Sequence, residues 1–145
     1  MQSIPVIGSG QMGEAALRLG EHEDRMAKPS LYHALAAIAA AWLGDRAAAM
    51  RWVEDVFRMI EREENLPAGL DKILPDHLNL HIFEDSPAGL RGGKAAARIL
   101  AGLGTQVETR LWGVSEHPEK REALSAEGAQ LFPDINQAVA QALIQ

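Results

Sequence analysis

Two periods of apolar spacing alternate along the chain. The run Ile4 to Ile7, closed by Gly8, predicts a short buried strand. Gly13 to Leu19, with Ala15, Ala16 and Leu19 apolar, predicts a short helix ending at Gly20. After the polar turn Glu21 to Ala27, Lys28-Pro29-Ser30 puts a proline where the first helical turn accepts one. Leu31, Leu35, Ile38 and Trp42 then recur at helical spacing and predict one buried stripe, up to a stop at Gly44. Asp45 is a suitable N-cap for a second helix reaching Glu63. Its apolar stripe would be Met50, Val53, Phe57 and Ile60, with Arg51, Glu54, Asp55, Arg58, Glu61 and Arg62 on the wet side.

Beyond the Pro/Gly-punctuated loop from Asn65 to Pro75 the pattern changes. Leu78, Leu80 and Ile82 alternate with Asn79 and His81 and lead to Phe83, which predicts a strand. A helix from Ala88 to Leu103, closed by Gly104, and a strand from Val107 to Val114 follow. Pro118 opens a helix to Glu127, Gln130 to Phe132 is a short strand, and Asp134 caps a last helix with Ile135, Val139 and Leu143 expected inward. Strands alternating with helices of this length imply βαβ units and a parallel sheet. The expected fold class is therefore α/β, an incomplete Rossmann-like three-layer sandwich with a mostly parallel sheet and helices on both faces. The two consecutive helices are expected to form a helical hairpin over 30–63 within a single core domain spanning 1–145.

Composition narrows the function classes. With 145 residues, 47% apolar and 23% charged, the chain is long enough for one core and unlike a disordered tail or a collagen-like repeat. Having no cysteine, it has no disulfide, thiolate metal site or cysteine nucleophile. Lys and Arg number 14 against 20 Asp and Glu, for a formal charge of −6, and no basic stripe interrupts that balance. Such a surface opposes binding to nucleic acid or to an anionic membrane. No apolar run approaches the roughly 20 residues of a membrane span, and the N-terminus lacks the basic start of a secretory signal, so a cytoplasmic protein is expected. The five histidines show no metal-ligand spacing, and Trp42, Trp52 and Trp112 sit at core-periodic positions.

The strongest chemical signal is Leu80-His81-Ile82-Phe83-Glu84-Asp85-Ser86-Pro87-Ala88-Gly89. An apolar strand delivers two adjacent carboxylates to its C-terminal end, just before a glycine-containing turn into a helix. Open parallel sheets bind ligands beyond the carboxyl ends of their strands. Two carboxylates held there suit Mg²⁺, which takes oxygen ligands and keeps several waters. The same two acids would equally complement the positive end of the following helix. Lys28 at a helix start could neutralise a phosphate or carboxylate, or simply be solvated. Ser9, between Gly8 and Gly10, could bind an anion or serve as a turn residue.

Phe83-Glu84-Asp85-Ser86-Pro87-Ala88-Gly89-Leu90 with the following Lys94 resembles the fourth motif of the haloacid-dehalogenase-like hydrolases, the phosphatase superfamily. Lys28-Pro29-Ser30 resembles the family's third motif and Ile4 to Ser9 its second, and the tail from Trp112 to Ile135 is similar to its last strands and helices. The resemblance covers nearly the whole chain. It implies Mg²⁺ on Glu84 and Asp85, with Ser86 and Gly89 supporting, and a phosphoryl group on Ser9, Gly10 and Lys28 of a phosphorylated small molecule. The departure is as specific as the match. The family's nucleophile and general acid belong to an Asp-x-Asp motif on a first, central strand, and no Asp-x-Asp occurs in this sequence. No catalytic residue can be named, so a truncated or degenerate domain, inactive alone, is expected. Loss of that strand would leave an open sheet edge, an association hazard that predicts a homodimer through the edge.

A competing pattern is Gly8-Ser9-Gly10-Gln11-Met12-Gly13, the glycine fingerprint of dinucleotide-binding folds. It requires a strand before it and a second strand ending in an acid about 20 residues on. Glu21, Glu23 and Asp24 have no apolar strand before them.

Overall fold

The computed structural model describes residues 5–65, 67–69 and 73–144. The chain divides into two compact units, Met1–Leu74 and Pro75–Gln145.

The described part of the first unit is helical: α1 (Ser9–Leu19), a 3-10 turn at Glu23–Arg25, α2 (Leu31–Leu43) and α3 (Arg46–Arg62). Each main helix is bounded by local chemistry. In α1 the Gln11 side chain returns to the Gly8 N–H at 2.9 Å, and Gly20, at φ 70°, ends the helix in the left-handed conformation that glycine adopts without strain. The Ser30 hydroxyl accepts from the His33 N–H at 3.2 Å and starts α2. Asp45 Oδ1 accepts from the N–H groups of Ala47 and Ala48 at 2.8 and 3.1 Å and starts α3. The hairpin expected over 30–63 is present, with α2 packed along α3.

Its buried stripes differ from the expected ones. On α2 the inward face is Tyr32, Leu35, Ala36, Ala39 and Ala40, while Trp42 is 52% exposed and donates its Nε1–H to the Ile73 carbonyl at 3.1 Å. Tyr32 packs its ring on Phe57 of α3, with centroids 4.9 Å apart, and alanines on the same face permit close approach of the two helices. On α3, Glu54 is 6% exposed rather than on the wet side, because Arg18 of α1 neutralises it there. The strand expected at Ile4–Ile7 does not form in its described part. Ile4 lies outside the described residues, and Pro5 to Ile7 have no regular structure. Ile7 is buried but Val6 is 67% exposed, and Pro5 has no N–H to give to a ladder.

The second unit runs β1 (His77–Glu84), α4 (Pro87–Gly102), β2 (Gln106–Val114), α5 (Pro118–Ala126), β3 (Gln130–Phe132) and α6 (Ile135–Leu143). The three strands form one parallel sheet in the order β1-β2-β3. This is the α/β, Rossmann-like arrangement that the alternation implied. Strand alternation sends Ile82, Leu111 and Leu131 to one face, where they pack with Leu90 of α4, Leu124 of α5 and Ala129. The approach is close: a side chain at Gly93 would meet Ile82, and one at Gly113 would meet Leu131 and Leu124. The opposite face carries His81, Phe83, Trp112 and Phe132, whose ring centroids lie 5.7–5.8 Å apart along the row from His81 to Trp112, Phe83 to Trp112 and Trp112 to Phe132. Helix α6 touches all three strands. It turns Ala138 inward and leaves Ile135, Val139 and Leu143 at 47%, 38% and 81% exposed, not buried as expected. Among the described residues no helix is long and apolar enough to cross a membrane.

Candidate functional site

The carboxyl edge of the sheet in the second unit brings several of the expected residues together. Apolar alternation holds β1 in the sheet up to Glu84, and the chain then turns directly into α4. Ser86 makes that turn: its hydroxyl accepts from the Gly89 N–H at 3.2 Å, its carbonyl accepts from the Leu90 N–H at 3.2 Å, and Pro87 fills the first helical position. Ser86 therefore acts as a helix cap.

Glu84 stands opposite Gly113 in the β1–β2 register, on the face that α4 covers. Its carboxyl group occupies the space that a side chain at position 89 would need. Glycine at 89 is thus the seat of the Glu84 carboxyl group at the start of α4, where a helix presents partial positive charge. Asp85 does not share that seat. It is exposed, and its Oδ2 lies 3.5 Å from the Lys120 Nζ of α5. With both groups half or more exposed, the pair contributes little to stability. The two acids are adjacent in sequence but serve different partners, as residues at the end of an alternating strand must.

The loop after β2 completes this edge. Ser115 is buried, its N–H donates to the Phe132 carbonyl at 3.0 Å, and its hydroxyl accepts from the His117 N–H at 3.1 Å ahead of α5. Lys120 was not singled out in the sequence, where it reads as one of several charges on an amphipathic helix. Its position three residues into a helix that follows a strand is the signal that could have found it. His81 is not at this edge: its Nδ1 accepts from the Trp112 Nε1–H at 3.2 Å on the aromatic face.

The remaining expected residues lie in the first unit. Ser9 and Gly10 are the first two residues of α1, with Gly8 as N-cap, rather than following a strand. The strand required by the glycine fingerprint is accordingly missing from residues 5–8. Lys28 lies in the turn before α2, joined to Pro29 by a cis peptide bond. Among the described residues, no three or more His, Asp or Glu side chains gather as a ready-made metal cage.

Comparison of the sequence and structure with known protein families, curated proteins and solved structures gives no match.

Proposed function

We propose that this chain is a haloacid-dehalogenase-like phosphatase domain that keeps Mg²⁺- and phosphate-binding groups and is inactive by itself. One observation carries the reading: the Glu84-Asp85-Ser86-Pro87 run ends a parallel strand at the carboxyl edge of the sheet, with Ser86 capping α4 and Gly89 seating the Glu84 carboxyl group. The donor set fits a water-rich cation. Mg²⁺ is held by one or two carboxylates with water in its other positions, so it does not need a cage of three protein ligands. Asp85, exposed at the edge, would be its direct ligand, and Glu84 would be the second acid, backed by the start of α4. When bound, the cation would supply Lewis-acid stabilisation of negative charge on an oxygen ligand. The resemblance separately assigns a phosphate to Ser9, Gly10 and Lys28, which belong to the first unit. Without an Asp-x-Asp in the sequence there is no group to attack phosphorus, which is why turnover is not expected.

Calorimetric titration with MgCl₂ tests the metal assignment, and a generic phosphomonoester assay tests the activity. The expected results are saturable Mg²⁺ binding, weakened about tenfold or more in the Glu84→Gln, Asp85→Asn double variant, and no turnover by the chain alone. Mg²⁺ affinity unchanged in the double variant, or turnover that survives it, overturns the reading.

A further inference from the structure

We propose that the groove between α1 and α3, within the first unit, binds a small molecule carrying several phosphate or carboxylate groups, with Arg46 and Arg51 as its recognition residues. The groove is about 390 Å³ in volume and is lined by Gln11, Glu14 and Arg18 of α1 and by Arg46, Met50 and Arg51 of α3, with Glu54 among them. Pockets for small ligands occupy roughly 300–1,000 Å³, so the space suffices for a compact metabolite. Helical spacing assembles it. Positions 11, 14 and 18 fall on one face of α1, and positions 46, 50 and 54 on one face of α3.

The charges in the groove are not balanced. Arg18 donates through Nε and Nη2 to Glu54 Oε1 at 2.8 and 2.6 Å, and Arg58 Nη2 lies 3.9 Å from Glu54 Oε2. The buried Glu54 carboxylate is thus committed to two guanidinium groups and fixes Arg18 in the wall. Its hydrogen bond with Arg18 raises the Arg18 pKa further, so that this cation is permanent. Glu14, exposed at the rim, lies 3.9 Å from Arg18. Arg46 and Arg51 have no carboxylate within 4 Å among the described residues, and both are exposed in the groove.

Arg46 also breaks a local rule. It is the first residue of α3, where the helix end is itself positive and a cation is disfavoured. Local rules are broken most often where function requires it. A guanidinium presents a planar fork of donors that matches phosphate and carboxylate oxygens two at a time. Two such groups, both lining the groove and lacking a protein anion, are complementary to a ligand with at least two anionic groups. The site is separate from Ser9, Gly10 and Lys28, to which the phosphoryl group was assigned above.

The test is calorimetric titration of the full chain at low ionic strength with inorganic pyrophosphate and, separately, with citrate. Saturable binding of either probe is expected, weakened about tenfold or more in the Arg46→Ala, Arg51→Ala double variant. Both positions are exposed, so that variant keeps its fold, which far-UV circular dichroism checks. Binding should also fall as salt is added, because the groove is open to solvent. Pyrophosphate binding alone identifies a phosphate ligand and citrate binding alone a carboxylate one; either outcome supports the site. Absence of saturation with both probes, or undiminished binding in the arginine variant, overturns the proposal.

Discussion

Gly89 and Gly93 are one turn apart on α4, and the missing side chain does different work at each. At 89 the neighbour is the carboxyl end of Glu84, a chain that can swing away; at 93 it is the body of Ile82, with atoms 2.6 and 3.0 Å from where a Cβ would stand. Alanine gains about 1 kcal/mol over glycine in a helix, whereas overpacking a filled core costs about 1–3 kcal/mol. Gly93→Ala should therefore lower the thermal midpoint by several degrees, and Gly89→Ala should leave it nearly unchanged while expelling the Glu84 carboxyl group. Thermal denaturation followed by circular dichroism checks the first outcome. The second predicts that Gly89→Ala weakens Mg²⁺ as Glu84→Gln does, measured by the same titration. The presence of two acids after Phe83 was plain in the sequence. Their separate commitments were not, because a sequence shows which side of a strand a residue takes but not that position 89 must be empty to receive it.

Between elements, Glu127 ties α4 to the end of α5. It accepts from Arg91 Nη1 at 2.5 Å and from Lys94 Nζ at 2.6 Å. The Lys94 hydrogen bond first, and that of Arg91 second, hold its carboxyl group below the usual glutamate value of 4.5. A carboxylate with a depressed folded-state pKa stabilises the fold fully above its unfolded value and stops doing so as pH falls through the folded one. Thermal midpoints should accordingly decline as pH drops below 4.5, and Glu127→Gln should flatten that part of the decline. An unaltered profile in the variant would exclude the clamp as a contributor. The elements themselves were largely legible. From β1 to α6 each expected strand and helix is present, because caps such as Ser86 and Asp134 and strict alternation mark them. The failures share a cause. Ile4–Ile7 carried the composition of a strand, but a strand also needs a partner, which four apolar residues cannot reveal. On α2 three alanines join Tyr32 and Leu35 on the inward face, and on α6 Ala138 alone faces inward, so stripes drawn through Leu, Ile, Val and Trp are rotated from the buried ones.

For the molecule as a whole, β1 pairs only with β2 among the described residues, so its other edge has no strand partner there. An edge of unpaired backbone groups is a template for a second chain. A homodimer through this edge is expected, and light scattering on the dilute chain checks it; a monomeric mass would remove the edge as a contact. Two compact units also imply that stability need not be a single number, since two-state behaviour is a property of single domains.

The placement of the indole rings makes that consequence measurable. Trp112 is buried in the second unit beside His81, whereas Trp42 and Trp52 belong to the first. Intrinsic fluorescence of Trp112→Phe would report melting of the helical half alone. The Trp42→Phe, Trp52→Phe chain would report only the sheet-bearing half, and unequal midpoints would reveal which half gives way first.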